Sequence, residues 1–142
     1  MKPLSRKQVA DAAKITIEAV RFYEKEALIA EPPRSQAGYR QYPADTVKRL
    51  RFIKRAQSLG FSLPEIRELL VLRVDPETTA ANIRYRAQQK IQEIEQKIQA
   101  LHAMKLALER ITESCNGSGP ATECPILEAL DQELNERGTK YD

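Results

Sequence analysis

The chain has 142 residues and carries 23 basic against 20 acidic side chains for a net charge of +3. That is room for one compact domain, or for a small domain with an extended helical arm, and it excludes a large independent catalytic domain. No apolar run reaches the roughly 18 to 20 residues of a membrane span and no signal-peptide core opens the chain, so the sequence reads as a cytoplasmic protein without a membrane partner.

The charge is unevenly spread. Up to Arg73 there are 15 Lys and Arg against 8 Asp and Glu, and from Val74 onward 8 against 12. The N-terminal half therefore carries a positive field that suits a polyanion, with an ordinary solvated surface as the alternative.

In chain order, Ser5 is an N-cap with Gln8 at the capping-box position, predicting a short helix through Ala13 with Val9, Ala10 and Ala13 on one face. Lys14-Ile15-Thr16 makes a tight connection. Thr16 caps a second helix whose apolar side holds Ile17, Val20 and Tyr23, with Phe22 assigned to the core. Two short helices on so short a turn predict a helix-turn-helix. Between Glu31 and Pro43 the prolines and Gly38 break helix, while Tyr39, Arg40 and Tyr42 favour a short β-hairpin, a wing. Asp45 is then the expected N-cap of a basic amphipathic helix through Ser58. Val47, Leu50, Phe52, Ile53 and Ala56 face inward, Lys48, Arg49, Arg51, Lys54 and Arg55 outward, and Gly60 ends the helix. Ser62 and Glu65 form a second capping box, with Pro64 in the first turn and Ile66, Leu69 and Leu70 as the apolar face.

After a break at Asp75-Pro76-Glu77, the stretch from Thr79 to Thr112 lacks Pro and Gly and spans about 50 Å as one helix at roughly 1.5 Å per residue. Ala87, Ile91, Ile94, Ile98, Leu101 and Leu108 form a heptad stripe along it, with Lys105 interrupting one seam position. No other segment is long enough to cover that stripe, so the expected partner is a second copy of the chain, in either orientation. The resulting division is 1–74 for a DNA-binding head, 75–113 for a dimerisation helix and 114–142 for a terminal loop and helix.

Cys115 and Cys124 are the two cysteines, with eight residues between them. Gly117, Gly119 and Pro120 permit a tight loop, and Cys124 lies just before the short helix marked by Ile126, Leu127, Ala129 and Leu130, where amide dipoles stabilise a thiolate. Two thiolates with no nearby third donor do not complete the tetrahedral shell of a structural zinc site. They suit soft ions that accept two sulfurs, namely Cu(I), Ag(I), Au(I) and Hg(II). A regulatory disulfide and two incidental thiols are the alternatives. His102 reads as a surface residue of the long helix. Nothing resembles a nucleophile with its base, a phosphate-cradling glycine loop or paired acids in a cleft, so no enzyme is expected.

Val20-Arg21-Phe22-Tyr23-Glu24-Lys25, Gly38-Tyr39-Arg40-Gln41-Tyr42 and Leu59-Gly60-Phe61-Ser62-Leu63-Pro64-Glu65-Ile66 resemble the MerR family of transcription regulators, over nearly the whole chain. Cys115 to Cys124 followed by Pro125-Ile126-Leu127 is similar to the metal loop of its heavy-metal branch. The resemblance implies a mainly α protein: a winged helix-turn-helix head, a long antiparallel coiled-coil dimerisation helix, and a short C-terminal metal-binding loop and helix. It implies a homodimer on a palindrome in double-stranded promoter DNA. The metal-bound dimer distorts that DNA so that RNA polymerase uses both promoter elements, at a deformation cost of roughly a few kcal/mol.

Position by position, Arg21 and Tyr23 of the second helix and Tyr39 and Arg40 of the wing match the family's DNA-contacting residues, and Lys14, Arg34 and Lys48 join them as further DNA-binding positions. Cys115 and Cys124 match its metal ligands. The departure is Ala80, where regulators of divalent ions place a third cysteine from the partner chain and the copper-type branch places Ser. Ala80 ligates nothing, which favours a monovalent ion at two sulfurs. The eight-residue loop and the Cys-Pro-Ile-Leu-Glu-Ala-Leu ending instead resemble the divalent branch. Zn(II), Cd(II) or Pb(II) fit only if Ala80 replaces a native cysteine. The alternative on the same scaffold is a thiol redox-sensing regulator.

Overall fold

The computed structural model describes residues 2–132; the last part of the expected 114–142 segment lies outside them. The described residues form six α-helices and one 3-10 turn. In order these are α1 (Arg6–Ala13), α2 (Ile17–Lys25), α3 (Asp45–Ser58), α4 (Leu63–Arg73), α5 (Ala80–Glu113), the 3-10 turn Ala121–Glu123 and α6 (Pro125–Asp131). Two compact units result, one through Lys90 and one from Ile91, so the division falls inside α5.

Helix starts follow the caps read from sequence. The Ser5 hydroxyl accepts from the Gln8 amide at 3.1 Å while the Gln8 side chain accepts from the Ser5 amide at 2.8 Å. Thr16 accepts from the Ala19 amide at 3.0 Å. Ser62 and Glu65 repeat the reciprocal box at α4. The start of α3 differs from expectation. Its N-cap is Ala44, already in the right-handed helical region, and Asp45 is the first helical residue. The amides of Thr46 and Val47 are satisfied by the carbonyls of Pro43 and Ala44 at 3.0 and 3.3 Å. The turn out of Pro43 thus supplies what a capping side chain supplies elsewhere, and Asp45 complements the helix dipole instead.

The core of the first unit is built from Val9, Val20, Leu28, Leu50, Ile53 and Ile66, all fully buried, with Tyr42 of the wing beneath them. Fully burying side chains of this size stabilises by roughly 1.5–3 kcal/mol each. Phe22 is an exception to the expected core: it is 44% exposed, while Tyr23 beside it is 7% exposed. On a 3.6-residue helix, Val20 and Tyr23 share a face and Phe22 lies about 100° away from Tyr23, so only an edge-on contact joins the two rings, 5.6 Å between centroids.

The wing is a hairpin without regular strands. Two isolated antiparallel bridges hold it, Leu4 with Tyr42 and Arg34 with Arg40. The expected ladder is reduced because Pro33 has no N–H to give and the loop turns back at once through Ser35 to Gly38, whose φ of +90° only glycine adopts without strain.

The basic face of α3 is partly structural. Arg49 donates to the Leu28 carbonyl at 2.7 Å, Arg51 to Ala12 at 2.9 Å and Lys54 to Lys14 at 2.7 Å. Cations from α3 therefore satisfy carbonyls at the end of α1 and beyond the end of α2, where the peptide dipoles favour positive charge.

The start of α5 packs on the head through a lysine. Lys90 is the one buried residue of the helix. Its ammonium lies 2.8 Å from the Glu65 carboxylate and 5.3 Å from the centre of the Phe61 ring, and Arg86 pairs with Glu68 one turn earlier. The Glu65 carboxyl is held below its ordinary value, first by Lys90 and then by the Ser62 amide.

Candidate nucleic-acid interface and cysteine loop

The head places the expected DNA-binding side chains in three groups. Arg21 on α2 and Arg40 on the wing line one cleft of about 550 Å³, together with Arg6, Glu24, Lys25 and Glu31. Arg34 and Tyr39 lie on the wing itself. Tyr39 is 74% exposed, and Arg34 donates to the Gly38 carbonyl at 2.9 Å, stiffening the turn. Lys14 and Lys48 are both exposed, Lys14 at a left-handed residue that ends α1 and Lys48 on α3.

Tyr23 is placed differently from its expected role. Its ring belongs to the core and its hydroxyl donates to the Gln57 side chain, tying α2 to α3. Burial raises the pKa of that phenol, so it stays a neutral donor. Its position braces α2, and the adjacent exposed ring is Phe22.

The cluster of Arg6, Glu24 and Tyr42 escaped sequence reasoning. The Glu24 carboxylate accepts from Arg6 at 2.8 Å and from the Tyr42 hydroxyl at 2.9 Å. Arg6 also donates through Nε to Tyr42 at 3.2 Å. Burial works against the Arg6 charge, yet the bonds to Tyr42 and Glu24 hold its pKa above the ordinary value. Tyr42 is pushed up by burial, with Glu24 adding to it. The only trace in sequence is Tyr42 in an alternating segment; nothing local links positions 6, 24 and 42.

In the second unit, α5 ends at Glu113 and the loop folds on itself. The Cys115 sulfur accepts from the Gly117 amide at 3.4 Å. Asn116 accepts from the amide and hydroxyl of Ser118 at 3.0 and 2.8 Å. After the 3-10 turn, Cys124 occupies the N-cap position of α6, with Pro125 as the first helical residue. Its side chain makes no capping hydrogen bond of ordinary geometry. Even so, the nearby amides of Leu127 and Ile126 hold its pKa below the ordinary thiol value, against partial burial and the Glu128 charge. Both thiols are free and half-buried. The loop thus carries both thiols, that of Cys124 biased toward thiolate. Among the described residues no group of three or more His, Cys, Asp and Glu stands close enough to hold a metal ion. Ala80, the first residue of α5, is exposed and presents only a methyl group.

Two family models together match residues 4 to 111: "MerR HTH family regulatory protein" over residues 4–73 and "MerR, DNA binding" over residues 47–111. The HTH-type transcriptional regulator ZntR of Escherichia coli K12 is 39% identical over 127 residues, 88% of this chain and 90% of that protein. The chain belongs to the MerR family of transcription regulators. Among solved structures, the regulator PbrR691 of Ralstonia metallidurans in complex with lead(II) superposes with a TM-score of 0.78 at 32% identity, covering 89% of this chain and 98% of that one. The MerR of Bacillus megaterium in complex with mercury(II) superposes at 0.66 and 37% identity, covering 87% and 95%. The regulator is thus mainly helical with a long coiled-coil-type helix at Ala80–Glu113. No helix among its described residues is long and apolar enough to cross a membrane.

Proposed function

We propose that the chain is a homodimeric, metal-responsive regulator that binds a palindromic promoter operator and activates transcription by distorting the DNA when a soft ion is captured by Cys115 and Cys124. The observation that carries the metal reading is two free, half-buried cysteines on one short loop, with Cys124 at the N-cap position of α6. The lead(II) and mercury(II) complexes of similar regulators support it.

The donor set fits a two-coordinate soft ion. Cys115 and Cys124 would hold it, and the bound ion would offset thiolate charge, one unit for a monovalent ion and two for Hg(II), and cross-link the loop. Ala80 adds no third donor, so the reading favours Cu(I), Ag(I), Au(I) or Hg(II) over ions that need a larger shell.

DNA contact is assigned to Arg21, Arg40, Arg34, Tyr39, Lys14 and Lys48, with Tyr23 acting through its hold on α2. Dimerisation is supported by the ladder Ile91, Ile94, Ile98, Leu101 and Leu108, each large apolar side chain of which is 40% exposed or more in the single chain. Metal binding then biases two shapes of the dimer on DNA, and RNA polymerase reads the difference as promoter geometry.

The test is transcription from the regulator's own promoter with and without Cu(I), Hg(II), Zn(II) or Pb(II), alongside metal stoichiometry of the reduced protein. Cys115→Ser and Cys124→Ser should each abolish the response while leaving operator affinity nearly intact. A full response in both variants removes the site. A response that follows oxidant and needs no bound metal assigns the loop to disulfide sensing instead.

A further inference from the structure

Glu24 is a carboxylate in the wrong place for a surface meant to meet phosphate. It stands on α2 between Arg21 and Lys25, in a cleft lined by four cations and two carboxylates, and its side chain is only 10% exposed. Bare Coulomb attraction would be stronger without it. The geometry shows what the charge does. One oxygen, Oε2, takes both strong bonds, from Arg6 and from Tyr42. The other, Oε1, faces Arg40 Nε at 3.8 Å, close enough for an ion pair and too far for a hydrogen bond. That Nε is buried and has no other partner.

Arg40 is therefore aimed by charge and not tied by a bond. Its guanidinium carries further N–H donors, as every arginine does, in a fixed fork suited to phosphate oxygens. Arg6, by contrast, is already held by bonds from its Nε to Tyr42 and its Nη2 to Glu24. From the wing side of the cleft the free donors are those of Arg40. From the α2 side they are those of Arg21 and Lys25, one helical turn apart and so on one face. Glu24 sits between these two sides, reaching the wing directly.

We propose that Glu24 is a positioning residue for DNA binding: it holds the wing arginine Arg40 against α2 so that Arg40, Arg21 and Lys25 converge on one backbone phosphate. The inference rests on the DNA-binding reading above. It goes beyond it in giving a negatively charged residue a positive effect on affinity for a polyanion. The bridge to Arg34 sets the backbone register at Arg40, and the Glu24 charge acts on where its guanidinium points.

The experiment measures affinity against KCl concentration for a duplex selected from a random-sequence pool by the parent protein. Glu24→Gln keeps the shape and an acceptor oxygen for Arg6 and Tyr42 but removes the charge that faces Arg40. Positioning predicts about a tenfold loss of affinity and a salt slope shallower by about one phosphate contact. Equal or tighter binding with an unchanged slope overturns the proposal, since that is what removing a repulsive charge does. Thermal melting is recorded in parallel. Should Glu24→Gln prove unfolded, Glu24→Asp decides the matter, because it keeps the charge and draws it back from Arg40 by one methylene. A tenfold loss with a shallower slope supports positioning, and parental affinity overturns it. If the parent protein selects no duplex, the DNA-binding reading itself fails and the proposal with it; if the parent binds and only the variants behave as the parent does, the clamp alone is wrong.

Discussion

The head and the second half of α5 use apolar residues in opposite ways. In the head, Leu50, Ile53 and Ile66 are sealed at zero exposure by three helices and the wing. In α5, Ile94, Ile98 and Leu101 have the same chemistry and comparable spacing, yet they are 40 to 61% exposed. The difference lies in chain topology. Short helices joined by tight turns can fold their apolar faces onto each other, whereas the later part of a 34-residue helix keeps its apolar stripe exposed among the described residues. In the proposed dimer that face is covered by a second copy, whereas the head's core is complete within one chain.

The comparison breaks most visibly at Ile98. Each apolar seam residue buried in a symmetric pair contributes about 1.5–3 kcal/mol per copy, so Ile98→Asp should cost the dimer roughly 3–6 kcal/mol, or about a hundredfold or more in dissociation constant. Sedimentation should show a monomer at micromolar concentration with the head still folded by far-UV circular dichroism. A dimer of parental strength would mean that the seam lies elsewhere.

The converse substitution tests the head. Leu50→Ala leaves a cavity at a fully buried position and should destabilise by about 2–5 kcal/mol, read by chemical denaturation, while the dimer constant measured below the transition stays as it was. A shift in both would show that core and seam are not separable.

The smallest effect sharpens the boundary between the two regions. Glu65 is depressed below its ordinary carboxylate value by Lys90 and the Ser62 amide. A group whose pKa is lower folded than unfolded adds stability above the unfolded value and loses it as pH falls through the folded one. The parent protein should therefore lose stability on acidification below about pH 4.5, the ordinary value for this group. Lys90→Met should flatten that part of the profile by a modest amount, because the carboxylate is partly exposed and screened. A profile identical to the parent's would show that the pair does not couple α5 to α4.

Much of the protein was legible before any coordinates. The two capping boxes, the Thr16 cap, the heptad stripe and the cysteine loop before a helix N-terminus all depend on residues a few positions apart, where backbone geometry alone decides which groups can meet. Asp45 shows the limit of such rules, because the carbonyls of Pro43 and Ala44 had already satisfied the amides it was expected to cap.

What tertiary structure decided was every choice between groups with equal local claims. Phe22 and Tyr23 are adjacent aromatics, and only the packing of α1 and α3 against α2 determines that Tyr23 goes in and Phe22 stays out. Arg49, Arg51 and Lys54 read as solvent-facing charge until neighbouring helix ends bring carbonyls within reach. Positions 6, 24, 40 and 42 become one cluster only when the wing closes over α2. Local hydrogen bonds follow from the covalent chain and are written in its order. Contacts between distant residues depend on which surfaces the whole fold presses together, and no short window of sequence contains that information.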